Sequence, residues 1–140
     1  MSTAQLASLS LPAANPPLAG IDRLLARLND EQRAAARHGL DGSEGSNEGG
    51  PLLIIAGAGT GKTNTLAHRV ACLVESGVDP RTILLLTFSR RAAVEMARRV
   101  EGIIAGLGER WARVAHSVLP WAGTFHGIGA RLLRETWSRL

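Results

Sequence analysis

The sequence contains one cysteine, one lysine and no apolar run long enough to cross a membrane. The single cysteine, Cys72, excludes an internal disulfide bond and fits a reducing compartment. A membrane-spanning helix needs about 20 apolar residues in succession, and the N-terminus lacks the basic region followed by an apolar run that marks a secretory signal. We therefore expect a soluble, cytoplasmic protein with no membrane partner.

Basic charge in this chain is carried almost entirely by arginine. Of the 16 basic residues only Lys62 is a lysine, and the formal net charge is +4 at a pI near 10.9. Such a balance favours a polyanionic partner, although arginine-rich usage also arises from coding bias. A length of 140 residues gives room for one compact domain with a modest core.

The most informative stretch is residues 52–66, where an apolar run ends in a glycine-rich loop and a helix follows. Glycines in such a loop allow φ > 0 and turn backbone N–H groups inward, toward a phosphate at the positive end of the helix. In this pattern Lys62 reaches the β- and γ-phosphates and the Thr63 hydroxyl holds Mg²⁺. The predicted loop consists of Ala56, Gly57, Ala58, Gly59, Thr60, Gly61, Lys62, Thr63 and Asn64, with φ > 0 expected at its three glycines. Ala56 stands where the strict pattern has glycine, and the alternative is a glycine-rich turn that binds nothing.

The residues before the loop predict a leader and two helices. Residues 1–19 are rich in Ser, Ala and Pro, and three prolines would break a helix there, so we expect a disordered leader and a domain over residues 20–140. The apolar spacing of Ile21, Leu24, Leu25 and Leu28 predicts one face of a short helix. A second helix is expected between a cap at Asn29, with Gln32 in the capping-box position, and a stop at Gly39. Residues 41–50 have the composition of a flexible linker.

Three strand-then-helix units follow, which predicts an α/β fold with a parallel sheet. The apolar runs 52–56 and 83–88 read as strands buried on both faces, and 122–126 as a shorter strand. Loops after parallel strands meet at one edge of the sheet, so the chemistry should gather there. Residues 106–120 are interrupted by glycine and proline and receive no function. The inner helix faces are predicted to comprise Leu66, Val70, Leu73 and Val74; Ala93, Ala97, Val100 and Ile104; and Leu132, Leu133 and Leu140.

Four stretches, taken in order, resemble motifs of the superfamily 1 DNA helicases of the UvrD/Rep/PcrA type. Residues 28–32, Leu-Asn-Asp-Glu-Gln, resemble the Q motif, and residues 56–63 resemble motif I. Residues 86–99, which begin Leu-Thr-Phe-Ser-Arg-Arg, resemble motif Ia, and residues 123–134, which begin Gly-Thr-Phe-His-Gly, resemble motif Ib. Motif Ia departs from the family's commonest Thr-Asn-Lys, with Ser89, Arg90 and Arg91 in those places.

The resemblance implies a fold, a set of ligands and further parts of the family's ATPase that this sequence does not contain. It implies a RecA-like P-loop NTPase domain, here incomplete, that binds ATP and Mg²⁺ and contacts single-stranded or duplex-junction DNA. Members of the family hydrolyse ATP with a later strand ending in Asp-Glu and with arginines of a second RecA-like domain. This chain has no apolar strand that ends in an acidic pair. We therefore expect an N-terminal portion of a helicase, with the remainder of the helicase chain as its partner and no catalytic competence alone.

The resemblance also assigns individual residues. It implies that the Gln32 amide reads adenine, whereas without the glycine-rich loop the residue would be taken for a capping-box side chain. It places DNA contacts at Phe88, Ser89, Arg90, Arg91, Thr124, Phe125 and His126. Outside the motif His126 would be structural, and Phe125 is as readily a core residue. Arg90 and Arg91 oppose the dipole at the start of their helix, a cost that a phosphate backbone would offset, whereas Arg98 and Arg99 are expected near its favourable end.

Three functions compete at this level. The first is the ATP- and DNA-binding part of a helicase that couples ATP hydrolysis to translocation and unwinding. The second is a non-enzymatic nucleotide-binding module. A small-molecule kinase is disfavoured by the motifs that resemble Ia and Ib.

Overall fold

The structure is a computed structural model that describes residues 17–40, 49–112 and 119–137. The elements are α1 (Pro17–Leu25), α2 (Asp30–Arg37), α3 (Lys62–Glu75), a 3₁₀ turn (Pro80–Thr82), β1 (Leu85–Thr87), α4 (Arg90–Ala105), α5 (Glu109–Ala112), β2 (Ala122–Thr124) and α6 (Phe125–Trp137). Among these residues no helix is both long and apolar enough to span a bilayer. The architecture is mixed α/β, as predicted.

The N-terminal elements follow the sequence signals closely. All four residues of the predicted apolar face, Ile21, Leu24, Leu25 and Leu28, are buried. The prediction that proline would prevent a helix before residue 20 is wrong for Pro17, which begins α1. Proline suits the first helical position because the N–H that it lacks has no partner there. Residues 1–16 of the predicted leader and 41–48 of the predicted linker lie outside the described residues.

Helix α3 lies at the centre of the helical layer and contacts α1, α2 and α4. Its buried side chains include Ala67, Val70, Ala71, Cys72 and Val74. Small residues on this face let neighbouring helices approach, and the core cluster extends from them to residues of α1 and α4. The predicted inner residues Leu66 and Leu73 are only partly buried.

The inner face of α4 differs by one residue from the prediction. Ala93, Met96, Val100 and Ile104 are buried, with Met96 in the place expected for Ala97. The helix continues to Ala105, so Arg98 and Arg99 lie in its middle and not near its end. The predicted favourable interaction of these two arginines with the helix dipole is therefore wrong, because that effect is confined to the last turn.

The sheet of the described residues has two strands. β1 pairs in parallel with β2, and Leu85 lies opposite Ala122 and Thr87 opposite Thr124. Helix α4 makes the connection between them, as the second predicted strand-then-helix unit requires. Both strands are shorter than predicted, and residues 125 and 126 belong to α6 instead of a strand.

Two apolar segments expected in the interior are exposed. Residues 52–56 form no strand, and Leu53 and Ile55 are 81% and 87% exposed. A strand exists only through backbone pairing, and no described segment pairs with this run. In α6 the predicted inner residues Leu132 and Leu133 are 45% and 72% exposed, while Ile128 is buried. Leu140 lies outside the described residues.

Candidate functional site

The glycine-rich loop leads directly into α3, which begins at Lys62 with Gly61 as its N-cap. Gly59 and Gly61 have φ of 77° and 86°, in the left-handed region that favours glycine. The expectation of φ > 0 at Gly57 is wrong, since positive φ in this loop is confined to the other two glycines. The loop therefore turns at two points, immediately before the helix, where the helix dipole favours an anion.

The Lys62 side chain folds back across the loop. Its Nζ donates to the carbonyl oxygen of Ala56 at 2.6 Å and also to the carbonyl oxygen of Gly57. The Thr60 hydroxyl donates to the same Gly57 carbonyl at 2.7 Å. The ammonium group thus lies over the residues that would surround a phosphate, and it is exposed, so a bound anion could draw it away from these carbonyls.

The first turn of α3 presents the residue assigned to Mg²⁺. Thr63 is exposed there, beside Lys62, whereas Thr65 is buried and donates from Oγ1 to the carbonyl oxygen of Gly61 at 3.1 Å. Asn64 is half-buried, and its carbonyl accepts from Nδ1 of His68 at 2.8 Å. In the described part of the chain no group of three or more His, Cys, Asp or Glu side chains could hold a metal. A single exposed hydroxyl at this place fits a Mg²⁺ ion that would arrive with its nucleotide.

Gln32 connects α2 to the loop and takes part in two interactions at once. Its Oε1 accepts from the Asn29 backbone N–H at 3.2 Å while the Asn29 side chain accepts from the Gln32 N–H at 2.9 Å, so the predicted capping box is formed. Its Nε2 donates to the Thr60 carbonyl oxygen at 3.0 Å. A Cβ atom on Gly61 would lie 2.6 Å from this Nε2, so the contact depends on glycine at that position.

Arg69 holds α2 against α3 and was not singled out by the sequence. Its Nη1 donates to the carbonyl oxygens of His38 at 2.6 Å and Ala35 at 3.3 Å. Burial lowers the pKa of this guanidinium, because the charged form is partly desolvated. Arg69 thereby positions the helix that carries Gln32.

A cavity of about 840 Å³ opens between α2 and the loop. Its lining includes Gln32, Thr60, Lys62, Thr65 and the apolar run 52–56. The predicted capping residue, phosphate-loop residues and lysine therefore border one space. A volume of this size is within the range of pockets that enclose small ligands.

A second group of predicted residues lies where β1 and β2 end. Because Thr87 and Thr124 are paired in register, the residues that follow them are neighbours, and the Phe88 and Phe125 rings lie 5.2 Å apart between centroids. The interplanar angle is 41°. Phe88 is 93% exposed and Phe125 49% exposed, so neither ring is a core residue in the described structure.

Helix α4 starts beside Phe88. The Ser89 hydroxyl caps it by accepting from the Ala92 N–H at 3.1 Å. Arg90 and Arg91 are exposed in its first turn, which contains no acidic residue. Two cations therefore oppose the helix dipole without an ion-pair partner among the described residues.

Helix α6 starts at Phe125 in a similar way. The Thr124 hydroxyl accepts from the Gly127 N–H at 3.1 Å, and His126 is exposed in the first turn. Arg131 lies 4.0 Å from the Trp121 ring centroid and donates to the Pro120 carbonyl, two contacts that sequence reasoning missed because they depend on the turn before β2. The phosphate loop is not joined to this edge by strand pairing, since residues 52–56 form no strand.

Comparison with known proteins finds similar sequences over most of the chain. The sequence model of the UvrD/REP helicase N-terminal domain matches residues 28–140. The chain is 40% identical over 121 residues to ATP-dependent DNA helicase PcrA of Staphylococcus epidermidis, across 86% of this chain and 14% of that protein. It is 44% identical over 115 residues to ATP-dependent DNA helicase UvrD1 of Mycobacterium tuberculosis, across 81% of this chain and 13% of that protein. The chain thus spans between 13% and 14% of the length of these relatives.

Proposed function

The chain belongs to the family of the UvrD/REP helicase N-terminal domain, and on that premise we propose that it is the ATP- and single-stranded-DNA-binding N-terminal portion of an ATP-dependent DNA helicase. The whole protein would couple ATP hydrolysis to translocation and unwinding, with the remaining chain supplying a second RecA-like domain. The proposed fold is the RecA-like P-loop domain, of which the two-stranded sheet is a part. A cytoplasmic location accords with DNA as the partner.

The observation that carries the ATP-binding half is the loop that ends at Lys62. Two glycines with positive φ, a helix N-terminus and an exposed lysine occur together at the border of one cavity. Backbone N–H groups of the loop would hold the phosphates, and Lys62 would exchange the Ala56 and Gly57 carbonyls for phosphate oxygens. Bound Mg²⁺ would neutralise phosphate charge, with Thr63 as the protein ligand.

Calorimetric titration with Mg·ATP tests this half. Lys62→Ala should weaken binding, whereas Arg134→Ala, which removes an exposed cation on α6, should leave it unchanged. Thr63→Val should reduce affinity in the presence of Mg²⁺ and have little effect with EDTA, because its hydroxyl acts through the metal. Equal affinity of Lys62→Ala and the unaltered chain would contradict the assignment.

The DNA-binding half rests on the edge formed by Phe88, Phe125 and the arginines of α4. Aromatic faces stack on bases of any sequence, and the adjacent arginines and hydroxyls would hold the backbone. A surface of this kind suits a motor that moves along one strand, and resemblance to motifs Ia and Ib supports it.

The chain alone is proposed to bind ATP without turning it over. In the described residues no group of three or more His, Cys, Asp or Glu side chains could hold a metal ion, and the arginines that a second RecA-like domain supplies in the family would come from the remaining chain. As a non-enzymatic module it would release no phosphate above background in a steady-state assay. Turnover that disappears in Lys62→Ala would show that a catalytic acid is present after all.

A further inference from the structure

A second cavity, of about 380 Å³, lies between α1, α3 and α4 and shares no lining residue with the cavity at the phosphate loop. Its lining residues are Arg23, Leu24, Arg27, His68, Arg98, Arg99, Gly102, Ile103, Gly106 and Leu107. None of them belongs to the predicted nucleotide or DNA contacts. We call this the basic pocket.

Four arginines line the basic pocket. Arg23 belongs to α1, Arg27 lies in the turn after it, and Arg98 and Arg99 lie in the middle of α4. Arg99 pairs with Glu95 at 3.3 Å, whereas the other three have no ion-pair or hydrogen-bond partner among the described residues. Like charges repel one another and only Arg99 of the four has a counter-charge among the described residues, so the pocket favours an anion.

The interior of the basic pocket is apolar or bare backbone. Leu24 is buried, and Ile103 and Leu107 pack partly exposed against the core. Gly102 lies inside α4, where glycine is less favourable than alanine. A Cβ there would meet no atom within 4 Å, so no contact in the described structure requires glycine. Because Gly102 has no Cβ, a ligand in the pocket can approach the backbone of α4 closely.

We propose that the basic pocket binds an acidic peptide segment that carries an apolar side chain between its carboxylates. The arginines would take the carboxylates in bidentate hydrogen bonds, and the apolar side chain would cover Leu24, Ile103 and Leu107. Phosphate or a nucleic-acid backbone would satisfy the arginines but leave the apolar interior uncovered. Bases would find no phenylalanine or tryptophan to stack on in this lining.

His68 adds a polar group to the interior of the pocket. The residue is only 6% exposed, and its Nδ1 donates a hydrogen bond to the backbone carbonyl oxygen of Asn64 at 2.8 Å. Only the Nε2 side of the ring remains for the pocket, where it could donate to or accept from a bound peptide group. The site therefore combines cations at its rim with one polar atom and an apolar surface inside.

Fluorescence anisotropy of the full chain with a short fluorescein-labelled peptide of Asp, Glu and Leu tests the proposal. Reversing Arg23→Glu and Arg98→Glu together should weaken binding about tenfold or more, because carboxylates would then face like charges. Arg134→Glu is the matched control and should change affinity little. If the double reversal does not fold by circular dichroism, Arg23→Gln with Arg98→Gln serves in its place. Unchanged affinity in the folded variant overturns the proposal.

Two further comparisons separate this ligand from other anions. Gly102→Leu should fill the interior and weaken the leucine-containing peptide, and a peptide with Ser in place of Leu should bind the unaltered chain more weakly. Equal affinity for the two peptides would show attraction to any polyanion and overturn the proposal. The proposal would also be overturned if the double variant lost as much affinity for oligo(dT) as for the peptide. The proposal is independent of nucleotide binding, and Lys62→Ala should retain peptide affinity.

Discussion

The side-chain amide of Gln32 donates a hydrogen bond to the carbonyl oxygen of Thr60, 28 positions later in the chain, at 3.0 Å. The same side chain completes the capping box of α2 through its Oε1 atom. The sequence leaves two interpretations of Gln32 open, a capping residue and an adenine contact, and the cap occupies only the oxygen of its amide. The cap uses the oxygen, and the NH₂ group is directed to the phosphate loop.

Selectivity for adenine should depend on the Gln32 amide. Gln32→Ala removes both the cap and the NH₂ donor, while Gln32→Glu keeps an oxygen for the cap, removes the donor and adds a negative charge. Both variants should lose preference for ATP over GTP and CTP in competition titrations. Only Gln32→Ala should also lose the cap's share of stability, about 1 kcal/mol by urea denaturation. A preference that survives in both variants would leave Gln32 with the capping role alone.

Gly61→Ala should destabilise the loop through backbone strain and through crowding of Gln32. The double variant Gly61→Ala with Gln32→Ala separates the two effects. A residue with Cβ at φ of 86° is strained by roughly 1–2 kcal/mol, and its Cβ would also crowd the Gln32 amide at 2.6 Å. Urea denaturation should show a smaller loss for Gly61→Ala in a Gln32→Ala background, because the crowding is then relieved. Equal losses in both backgrounds would mean that backbone strain accounts for the whole effect.

Replacement of Arg90 and Arg91 by alanine should reduce the salt dependence of DNA binding. Loss of two phosphate contacts on a single strand flattens the slope of log K against log salt by about 1.4. The measurement is binding of oligo(dT) to the full-length protein at several salt concentrations. Arg81→Ala, an exposed arginine paired with Asp79, is the control and should keep the slope. An unaltered slope in the double variant would remove these arginines from the DNA contact.

Phe88→Ala should weaken single-strand binding with little change in that slope, since a stacking contact involves no counterion. The expected loss is roughly 1–3 kcal/mol per stacked base. Phe88 is 93% exposed, so its truncation should leave unfolding by urea almost unchanged, which separates a lost contact from a lost fold. Phe88→Trp retains a ring and should retain affinity. Full affinity in Phe88→Ala would contradict a stacking role.

Cys72 should make the protein less stable at alkaline pH. Burial raises the pKa of its thiol from 9.0 to about 12, against a smaller opposing effect of nearby arginines. Between these values the unfolded chain loses the proton and the folded chain keeps it, so the free energy of unfolding falls as pH rises, by up to about 1.4 kcal/mol per unit. The chain has no tyrosine, which leaves few other groups to titrate there.

Thermal unfolding of Cys72→Ala measures this effect. The variant should be less stable than the unaltered chain near pH 7, because a buried side chain is truncated, and the difference should shrink from pH 9 upward. Parallel pH profiles for the two proteins would show that the thiol does not titrate with unfolding. At neutral pH the buried thiol should also react slowly with iodoacetamide until the protein is unfolded.

Local signals in the sequence determined the elements whose stability is local. The capping box at Asn29 and Gln32, the apolar face of α1 and the glycine-rich turn before Lys62 depend on residues a few positions apart, and the structure contains all three. The order of the four motifs likewise determined the family. These features needed no information about which segments meet.

Contacts between distant segments were decided by the tertiary structure alone. The apolar run 52–56 reads as a buried strand, but a strand needs a backbone partner, and only 85–87 and 122–124 pair in the described chain. The same register places the Phe88 and Phe125 ring centroids 5.2 Å apart, and the packing of α1 and α4 against α3 gathers arginines from residues 23 to 99 around one pocket. Apolar pattern specifies that a surface is to be buried, whereas the partner that buries it is chosen by packing and pairing across the whole fold.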